Sequence, residues 1–317
     1  MLRLESLVSQ GVCVRGLGTG GEDTLIQRRE KFFSALGGAV QTRGVALMGI
    51  CNVTPDSFSD GGHYVTREAA FARVDALFGE GADVVDIGGE STRPRAVPVS
   101  AGEQIARVVE VVRYAANKGA VSVDTASPDV ARACFEAGAS ALNDVSCLRD
   151  DGLARVVASF GAAYVLMHAR GTQAEMKDFS EAPADAYGDV VEDVLREWEE
   201  AAARARSLGV ESDALVMDPG LGFAKAARHS KELLRRTSDL VTRLNVPVLI
   251  GASRKSFLRL VDADARPDER LGASVAAAVH AARAGAKLLR VHDVRATKQA
   301  IDMDRLLSPR GARAHDA

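Results

Sequence analysis

Eight short apolar segments of the chain each end in, or run directly into, polar side chains that could bind a ligand. In chain order these polar residues are Asn52, the run GGESTRP (88–94), Asp124, Asn143-Asp144, Met167-His168, Asp218, the run SRKS (253–256), and Arg290 with His292 and Asp293. A single Asp or Asn at the end of a strand is commonly a helix cap or a turn residue. Eight such sites meeting at one place would combine carboxylates, amides and cations, which suits a ligand with both a hydrogen-bonding heterocycle and an anionic group.

The segments that must position these residues form a regular repeat. Apolar, β-rich runs occur at 46–53, 82–89, 120–125, 140–146, 162–168, 214–219, 247–253 and 287–293. Helix-like segments with apolar spacings of three and four occur at 69–78, 105–116, 130–137, 190–208, 233–244 and 271–284. Gly81, Gly138 and Gly285 follow three of them and can take the left-handed conformation that ends a helix.

Eight such units predict a (β/α)₈ TIM barrel, because nearly continuous apolar strands alternating with helices indicate a parallel sheet that is covered on its outside. The alternative is a doubly wound open sheet, which the lack of a GxGxxG motif after the first strand disfavours. In a barrel, the polar strand ends would meet at one mouth. The run NVTPDSFSDGG (52–62) would then be the first loop of that mouth, with paired glycines that let it move as a lid.

The cations at the strand ends allow two interpretations. Arg290 and His292 alternate on one strand and can therefore point to the same side, where charge needs an anion or an acidic partner. They would bind an anionic ligand group or, alternatively, form a structural salt bridge. Arg254 and Lys255 are adjacent, so we expect only one of them to face inward.

Composition limits the remaining choices. The 317 residues, 47% of them apolar, suit two small domains or one large barrel, and the repeat favours a barrel over 45–317 with an extension, 1–44, packed on its bottom or side. A net charge of −3 and 5% aromatic residues give no nucleic-acid surface. The four cysteines show no metal or disulfide spacing, which predicts a cytoplasmic protein, and neither an export signal nor an apolar run of the ~20 residues that span a membrane is visible.

From about 45 to 307 the chain closely resembles the dihydropteroate synthases, folate-pathway enzymes with a pterin-binding (β/α)₈ barrel. The resemblance depends on MGICNVTPDSFSDGG, DIGGESTRP, SVDT, NDVS, LMH, MDPGLGFAK, GASRKSF and RVHDV, in the family's order and near its usual spacing. It implies a transferase that joins 6-hydroxymethyl-7,8-dihydropterin diphosphate to 4-aminobenzoate and releases pyrophosphate. It further implies Mg²⁺ as cofactor, inhibition by sulfonamides, and a homodimer formed by helices near the end of the barrel.

The resemblance also assigns roles to residues. It implies that Lys255, Arg290, His292 and Asp60 act in catalysis; that Asp124, Asn143, Met167, Asp218, Phe223 and Lys255 bind the pterin; that Asn52, Thr92, Arg290 and His292 bind the diphosphate; that Phe58, Thr92, Arg93, Pro94 and Ser256 bind aminobenzoate; and that Asn52 is a metal ligand. Ser256 would meet the aminobenzoate carboxylate near the N-terminus of the following helix. Arg290 and His292 would supply positive charge to the leaving diphosphate.

Three positions depart from the family's common pattern. Leu221 and Ala224 stand where an aromatic residue and a glycine are frequent, and Arg95 stands where a small residue is usual. Two other functions remain as alternatives: a methyltetrahydrofolate:corrinoid methyltransferase, which has no need for a diphosphate site, and a catalytically silent paralogue that binds pterin or a partner protein.

Overall fold

The structure is a computed structural model that describes residues 22–54, 67–90, 99–171 and 186–308. Within these ranges eight parallel strands form one sheet. They are β1 (Ala46–Asn52), β2 (Val84–Gly88), β3 (Ala120–Asp124), β4 (Ala141–Asp144), β5 (Ala163–Met167), β6 (Leu215–Asp218), β7 (Leu249–Ile250) and β8 (Leu288–Val291). No helix in the described ranges is long and apolar enough to cross a membrane.

The sheet closes into a barrel. Its hydrogen-bonded order is β6-β5-β4-β3-β2-β1-β8-β7, so β1 pairs with both β2 and β8. The remaining gap is bridged between Met217 and Val248, and Met217 N donates to Pro247 O at 2.9 Å. The predicted eight-stranded barrel is therefore confirmed, and the open doubly wound sheet is excluded.

Helices cover the outside of this barrel. In the described ranges they are α1 (Glu22–Arg43), α2 (Arg67–Glu80), α3 (Ala101–Ala116), α4 (Pro128–Glu136), α5 (Asp151–Phe160), α6 (Val190–Ser207), α7 (Ala227–Arg235), α8 (Thr237–Arg243), α9 (Leu271–Arg283) and α10 (Val294–Leu307). Ser127 caps α4 by accepting from Val130 N, and Pro128 begins the helix. Gly81, Gly138 and Gly285 have φ of +99°, +108° and +100°, which confirms their predicted left-handed conformation.

Two predicted elements differ from the structure. The single helix expected at 233–244 is two helices that meet at Arg236, where Thr237 Oγ1 bonds back to Leu233 O and Leu234 O at 3.3 and 2.8 Å. Such side-chain bonds to the preceding turn compete with the helical pattern. The run 247–253 contains only the two-residue strand β7 and, before it, the isolated bridge residue Val248.

The amino ends of the strands form an apolar layer inside the barrel. A buried cluster joins the strand residues Ala46, Met48, Val84, Ala120, Ala141, Ala163, Val165, Val216, Leu249 and Leu288 to Phe32, Leu36 and Ala39 of α1. Arg29 of the same helix pairs with Asp213 at 2.7 Å, and Lys31 donates to Ala116 O at 2.6 Å. Helix α1 thus lies across the bottom of the barrel.

Candidate functional site

A polar cluster occupies the barrel interior one layer above the apolar bottom. Arg290 reaches from β8 and donates from Nε to Asp86 Oδ2 and from Nη2 to Asp124 Oδ2, both at 2.6 Å. Asn143 Nδ2 donates to the same Asp86 oxygen at 3.0 Å. Three of the predicted site residues, Asp124, Asn143 and Arg290, therefore meet at one place, with Asp86 at their centre.

Several buried polar atoms of this cluster lack partners within the described ranges. They are Asp86 Oδ1, Ser122 Oγ, Asp124 Oδ1 and Asn143 Oδ1. Buried polar atoms in native proteins are nearly always hydrogen-bonded, because leaving one unpaired costs about 1–3 kcal/mol. Four such atoms in one chamber indicate a polar ligand that presents N–H or O–H donors to them.

Two carboxyl groups face this chamber under conditions that disfavour their charge. Burial raises the pKa of Asp124 to about 7, although the nearby Arg290 charge opposes the shift. Burial also raises the pKa of Asp218, against the Gly220 N–H, 2.7 Å from Asp218 Oδ1, and the charge of Lys255. Paired donors from a ligand would favour the ionised form of either group.

Lys255 lies at the mouth of the chamber. This agrees with the prediction that only one of the adjacent residues Arg254 and Lys255 faces inward. Arg254 has a left-handed φ of +59° and turns away to pair with Asp293 at 2.6 Å. Lys255 Nζ instead lies 3.9 Å from the centroid of the Phe223 ring. Burial and the Arg290 charge lower the pKa of Lys255 to about 8, against the attraction of Asp218 and Asp124.

An apolar wall borders the same chamber. Met167, at the end of β5, and Phe223, in the segment after β6, form a small buried cluster with Val145 and Ala169. A thioether and an aromatic ring at this place offer a surface against which a flat heterocycle can pack.

His292 differs from the cation expected at this position. Its backbone N donates to Ser253 Oγ at 3.2 Å, and its Nδ1 lies 3.1 Å from the same oxygen. Burial and the charges of Arg290 and Arg254 lower the pKa of His292 to about 3, so the imidazole is neutral. With Nδ1 accepting the Ser253 hydroxyl proton, Nε2 carries the ring proton and can donate it to a ligand.

Ser256 also differs from expectation in part. It begins a five-residue 3₁₀ helix, Ser256–Leu260, so the anion-binding argument from a full α-helix does not apply. Its Oγ is nevertheless buried with no hydrogen-bond partner in the part of the chain that the structure describes. The hydroxyl itself, not a helix end, is the group that can meet a ligand there.

Asn52 ends β1 at the rim, opposite Gly88 of β2. No group of three or more His, Cys, Asp or Glu residues in the described ranges could hold a metal ion by itself. The side chain of Asn52 offers an amide oxygen, a ligand type that Mg²⁺ accepts.

The other predicted site residues lie outside the described ranges. These are Phe58, Asp60, Thr92, Arg93 and Pro94. The edges of their second segment are described: Glu90 accepts from Val99 N at 2.9 Å and from Gln104 Nε2 at 3.1 Å. Glu90 thereby ties the two ends of the segment 91–98 together.

Two strand-end residues do not belong to the chamber. Asp144 is fully buried and accepts hydrogen bonds from Ser146 N, Ser146 Oγ, Leu148 N and Tyr164 OH, at 2.6 to 2.8 Å. His168 is also fully buried and bonds to Glu197 and Lys225. The expectation that all eight strand ends share one rim is wrong for these two side chains, because each alternates with a neighbour that belongs to the chamber, Asn143 or Met167, and so points to the other side of its strand.

Sequence reasoning also missed two chamber residues, Asp86 and Ser122, both completely buried. A signal existed for them: each is a polar residue inside an otherwise apolar strand, two positions before the strand's last residue. Because side chains alternate along a strand, a residue two positions before the rim points into the same barrel interior.

The chain is similar to known proteins of one kind. Residues 48–292 match the family described as pterin binding enzyme. Dihydropteroate synthase of Mycobacterium leprae (strain TN) is 44% identical over 264 residues, covering 81% of this chain and 91% of that protein. Two solved structures are similar as well. Xanthomonas albilineans dihydropteroate synthase with 4-aminobenzoic acid has a TM-score of 0.75 at 43% identity, covering 82% of this chain and 91% of the other.

The second, Yersinia pestis dihydropteroate synthase in a sulfonamide drug complex, has a TM-score of 0.75 at 38% identity and covers 82% of this chain and 93% of the other. These similarities extend across the barrel and include every strand that carries the polar chamber. The chain therefore belongs to the pterin-binding enzymes and, within them, to the dihydropteroate synthases, which are transferases.

Proposed function

We propose that the chain condenses 6-hydroxymethyl-7,8-dihydropterin diphosphate with 4-aminobenzoate to give 7,8-dihydropteroate and pyrophosphate in folate biosynthesis. The observation that supports this most strongly is the set of buried acceptor atoms beside Arg290 and Lys255 that have no hydrogen-bond partner among the described residues. A corrinoid methyltransferase would share the pterin contacts but would not need the SRKS and GGESTRP segments. A silent paralogue is disfavoured because every described candidate residue has the type that the reaction requires.

The pterin would bind through its polar edge. Asp218 would accept the adjacent N–H donors of the aminopyrimidinone ring with both carboxylate oxygens, which can accept more bonds than the one from Gly220. Asp124 and Asn143 would bond to the other ring atoms, and Lys255 would donate to a ring acceptor. Met167 and Phe223 would pack against the ring.

Arg290 would bind the diphosphate without leaving its carboxylate partners. A guanidinium has five N–H groups, of which the bonds to Asp86 and Asp124 use two. The rest can donate to phosphate oxygens, and His292 can add its Nε2–H. Charge on the leaving group grows as the bond breaks, so donors fixed in advance stabilise the transition state more than the ground state. Mg²⁺, with Asn52 as one ligand, would neutralise part of that charge when bound.

The chemistry would proceed by dissociation first. The bond between the pterin methylene carbon and the diphosphate oxygen breaks, and its electron pair leaves with the diphosphate. The resulting methylene cation is stabilised by the ring, so the weakly nucleophilic aryl amine attacks it, forms the C–N bond and loses a proton. No strong general base is needed.

The aminobenzoate pocket would consist of Phe58, Thr92, Arg93, Pro94 and Ser256. The buried Ser256 hydroxyl, which has no partner among the described residues, supports a role in holding the carboxylate. Asp60 and Thr92 would complete the site when the first two loops close, excluding water that would trap the cation. Sulfonamides, which mimic aminobenzoate, would compete for this pocket.

We also propose a cytoplasmic homodimer in which residues 1–44 are an extension of the barrel. The last two helices of the barrel, α9 and α10, carry exposed apolar side chains that a second copy of the chain would cover. They are Leu271 (42% exposed), Met303 (56%), Leu306 (61%) and Leu307 (74%). Light scattering of the purified protein tests the dimer: twice the 33.5 kDa chain mass is expected, and a monomeric mass would contradict it.

Pyrophosphate release tests the reaction itself. Purified protein supplied with both substrates and Mg²⁺ should release pyrophosphate only when aminobenzoate is present, and Lys255→Ala should reduce the rate strongly. Lys287→Ala is a matched control, because Lys287 immediately precedes β8 at the opposite end of the barrel. No release above that of Lys255→Ala would refute the proposed reaction.

A further inference from the structure

A second buried lysine lies directly behind the chamber, in the segment between β6 and α7. Lys225 has no exposed surface. Its Nζ lies 2.9 Å from His168 Nδ1, 3.1 Å from Phe223 O and 3.3 Å from His168 O. An ammonium group has three N–H donors and no acceptor, so these three partners satisfy it completely. Lys225 is therefore accommodated as a cation without any contact with solvent.

The His168 ring continues this contact outward to α6. Because Nδ1 accepts from Lys225, the ring proton is on Nε2, which donates to Glu197 Oε2 at 3.0 Å. Arg170 Nε donates to the same Glu197 oxygen at 2.8 Å. Burial and the Lys225 charge lower the pKa of His168 to about 4, so the ring is neutral and its tautomer is fixed. The result is a relay of Glu197, His168 and Lys225.

Lys225 connects the segment after β6 to the end of the neighbouring strand β5 by hydrogen bonds. It holds His168 O at the end of β5 and Phe223 O in its own segment, while His168 N donates to Asp218 O at 2.8 Å. A Cβ at Gly220 would lie only 2.0 Å from His168 O, so the two segments are in close contact. This segment supplies the Gly220 N–H that bonds to the Asp218 carboxylate and the Phe223 ring that Lys255 contacts.

The backbone adopts an unfavourable conformation next to this lysine. Ala224 has φ of +49°, in the left-handed region that costs a residue with a Cβ roughly 1–2 kcal/mol. Tyr187 OH donates to Ala224 O at 3.2 Å and helps to hold this conformation. Retained strain of this kind is found where the surrounding structure requires one geometry, commonly near functional sites.

The charge of Lys225 also acts on Asp218. The titratable groups that face Lys225 come from all the elements packed around it: Asp218, Cys147, His168, Arg170, Tyr187 and Glu197. Burial lowers the pKa of Lys225 to about 7, while the charges of Asp218 and Glu197 raise it. In return, the Lys225 charge adds to the larger effects of the Gly220 hydrogen bond and of the Lys255 and Arg290 charges, all of which lower the pKa of Asp218 against the effect of burial.

We propose that Lys225, held by the His168–Glu197 relay, is a positioning residue for the pterin: it fixes the segment 219–226, whose Gly220 N–H bonds to Asp218, so that Asp218 can accept the ring's paired donors. This inference rests on the proposed function, because it requires Asp218 to bind the pterin. Lys225 itself does not touch the substrate.

The first test is Lys225→Met, which keeps the side-chain length and removes the charge. We expect KM for the pterin diphosphate to rise roughly tenfold, equivalent to about 1.4 kcal/mol, with kcat and KM for aminobenzoate nearly unchanged. The acid limb of kcat/KM for the pterin substrate should move to higher pH, because Asp218 then keeps its proton to higher pH. Lys231→Met, an exposed lysine on α7, is the matched control.

The second test is Glu197→Gln, whose amide oxygen can still accept the His168 proton. Loss of the Glu197 charge lowers the pKa of Lys225, so Lys225 loses its proton at a lower pH. As pH is raised, the affinity for the pterin should therefore begin to decrease at a lower pH in the variant than in the wild type. The same change in a Lys225→Met background should cause no further shift. Glu199→Gln, an exposed position on the same helix, is the control.

The outcomes distinguish a failure of the positioning role of Lys225 from a failure of the proposed condensation reaction. Unchanged pterin KM and an unchanged acid limb in folded Lys225→Met would overturn the inference, as would an identical Glu197→Gln shift in both backgrounds. If Lys225→Met does not fold, the presence or absence of the Glu197→Gln shift decides alone. A wild-type protein that releases no pyrophosphate in the same experiments would instead refute the proposed function.

Discussion

The two ends of the barrel are built from the same strands in opposite ways. At the bottom, apolar side chains of the strands pack against Phe32 and Leu36 of α1, which are fully buried. At the top, two positions further along β2 and two and four positions further along β3, the inward side chains are Asp86, Ser122 and Asp124, with buried atoms that lack partners in the described ranges. The bottom gains stability from packing, whereas the top keeps polar groups ready for a ligand at the expense of stability.

The two buried lysines show the same contrast on a smaller scale. Lys225 and Lys255 each follow a non-glycine residue with positive φ, Ala224 and Arg254. Lys225 is sealed from solvent and bonds to three acceptors, whereas Lys255 is half-buried beside the Phe223 ring and faces Asp218 and Asp124 across the chamber. A satisfied cation holds structure in place, and an incompletely satisfied one can bind a ligand.

The largest effect should come from the top of the barrel. Arg290→Ala removes the donors that would stabilise the leaving diphosphate, so kcat should fall about 10³-fold, as for other arginines at phosphoryl sites. Binding of a pterin without the diphosphate should weaken far less. Arg295→Ala, exposed on α10, should leave both unchanged. Equal losses of kcat and pterin binding after Arg290→Ala would contradict the assignment.

At the bottom, the effect should fall on stability alone. Phe32→Ala creates a cavity beneath the strands and should lower the free energy of unfolding by about 3–5 kcal/mol in guanidinium titration. The folded variant should keep the wild-type kcat, because the polar chamber is untouched. Gln41→Ala, exposed on the same helix, should be close to neutral. A loss of kcat without a loss of stability would show that the two ends are not separable as described.

At Asp124 we expect a smaller effect, in which a substitution increases stability at higher pH. Its pKa is raised to about 7 in the folded state from an ordinary value of 3.8. The folded state therefore binds more protons between these pH values, and this group's contribution to stability, complete below pH 3.8, is lost as pH rises through 7. Asp124→Asn removes that loss.

The measurement for Asp124→Asn is the melting temperature across pH 4 to 8. Relative to the wild type, the variant should gain stability as pH rises, while its pterin binding decreases. Asp213→Asn, at the bottom of the barrel and exposed, serves as the control. A difference in melting temperature between variant and wild type that stays constant over this pH range would contradict the raised pKa.

The smallest effect concerns a departure from the family's common sequence. Ala224 stands where glycine is frequent, and its positive φ explains that preference. Ala224→Gly should stabilise the protein by about 0.5–1 kcal/mol, whereas Ala203→Gly, exposed inside α6, should destabilise it by a similar amount. Chemical denaturation of both variants measures this, and the same sign for both would be inconsistent with strain at Ala224.

Much of the site could be predicted from strand periodicity. The repeat gives the barrel, and the barrel brings Asp124, Asn143, Asp218 and Arg290 to one end. Period-two alternation would also have found Asp86, had polar residues within the strands been counted as well as those at their ends. These features follow from local pattern and strand geometry.

Other features depend on tertiary structure that no local pattern specifies. The identity of the groups that bind the outward-facing Asp144 and His168, such as Tyr164 and Glu197, depends on later segments of the chain. The neutral state of His292 follows from burial near two arginines that are distant from each other in sequence. Lys225 gives no local sign that it will be enclosed, since a lysine after a glycine-rich turn is usually a solvated residue.

The most direct test of the polar chamber at the top of the barrel is to measure, by isothermal titration calorimetry, the binding of a dihydropterin that lacks the diphosphate. Wild-type protein should bind one molecule per chain, and Phe32→Ala should bind with the same affinity. Asp218→Asn should bind about 100-fold more weakly, because one charge-assisted hydrogen bond, worth about 1.5–3 kcal/mol, is replaced by two facing donors and the other becomes neutral. Equal affinity of wild type and folded Asp218→Asn would contradict the assignment of this chamber to the pterin.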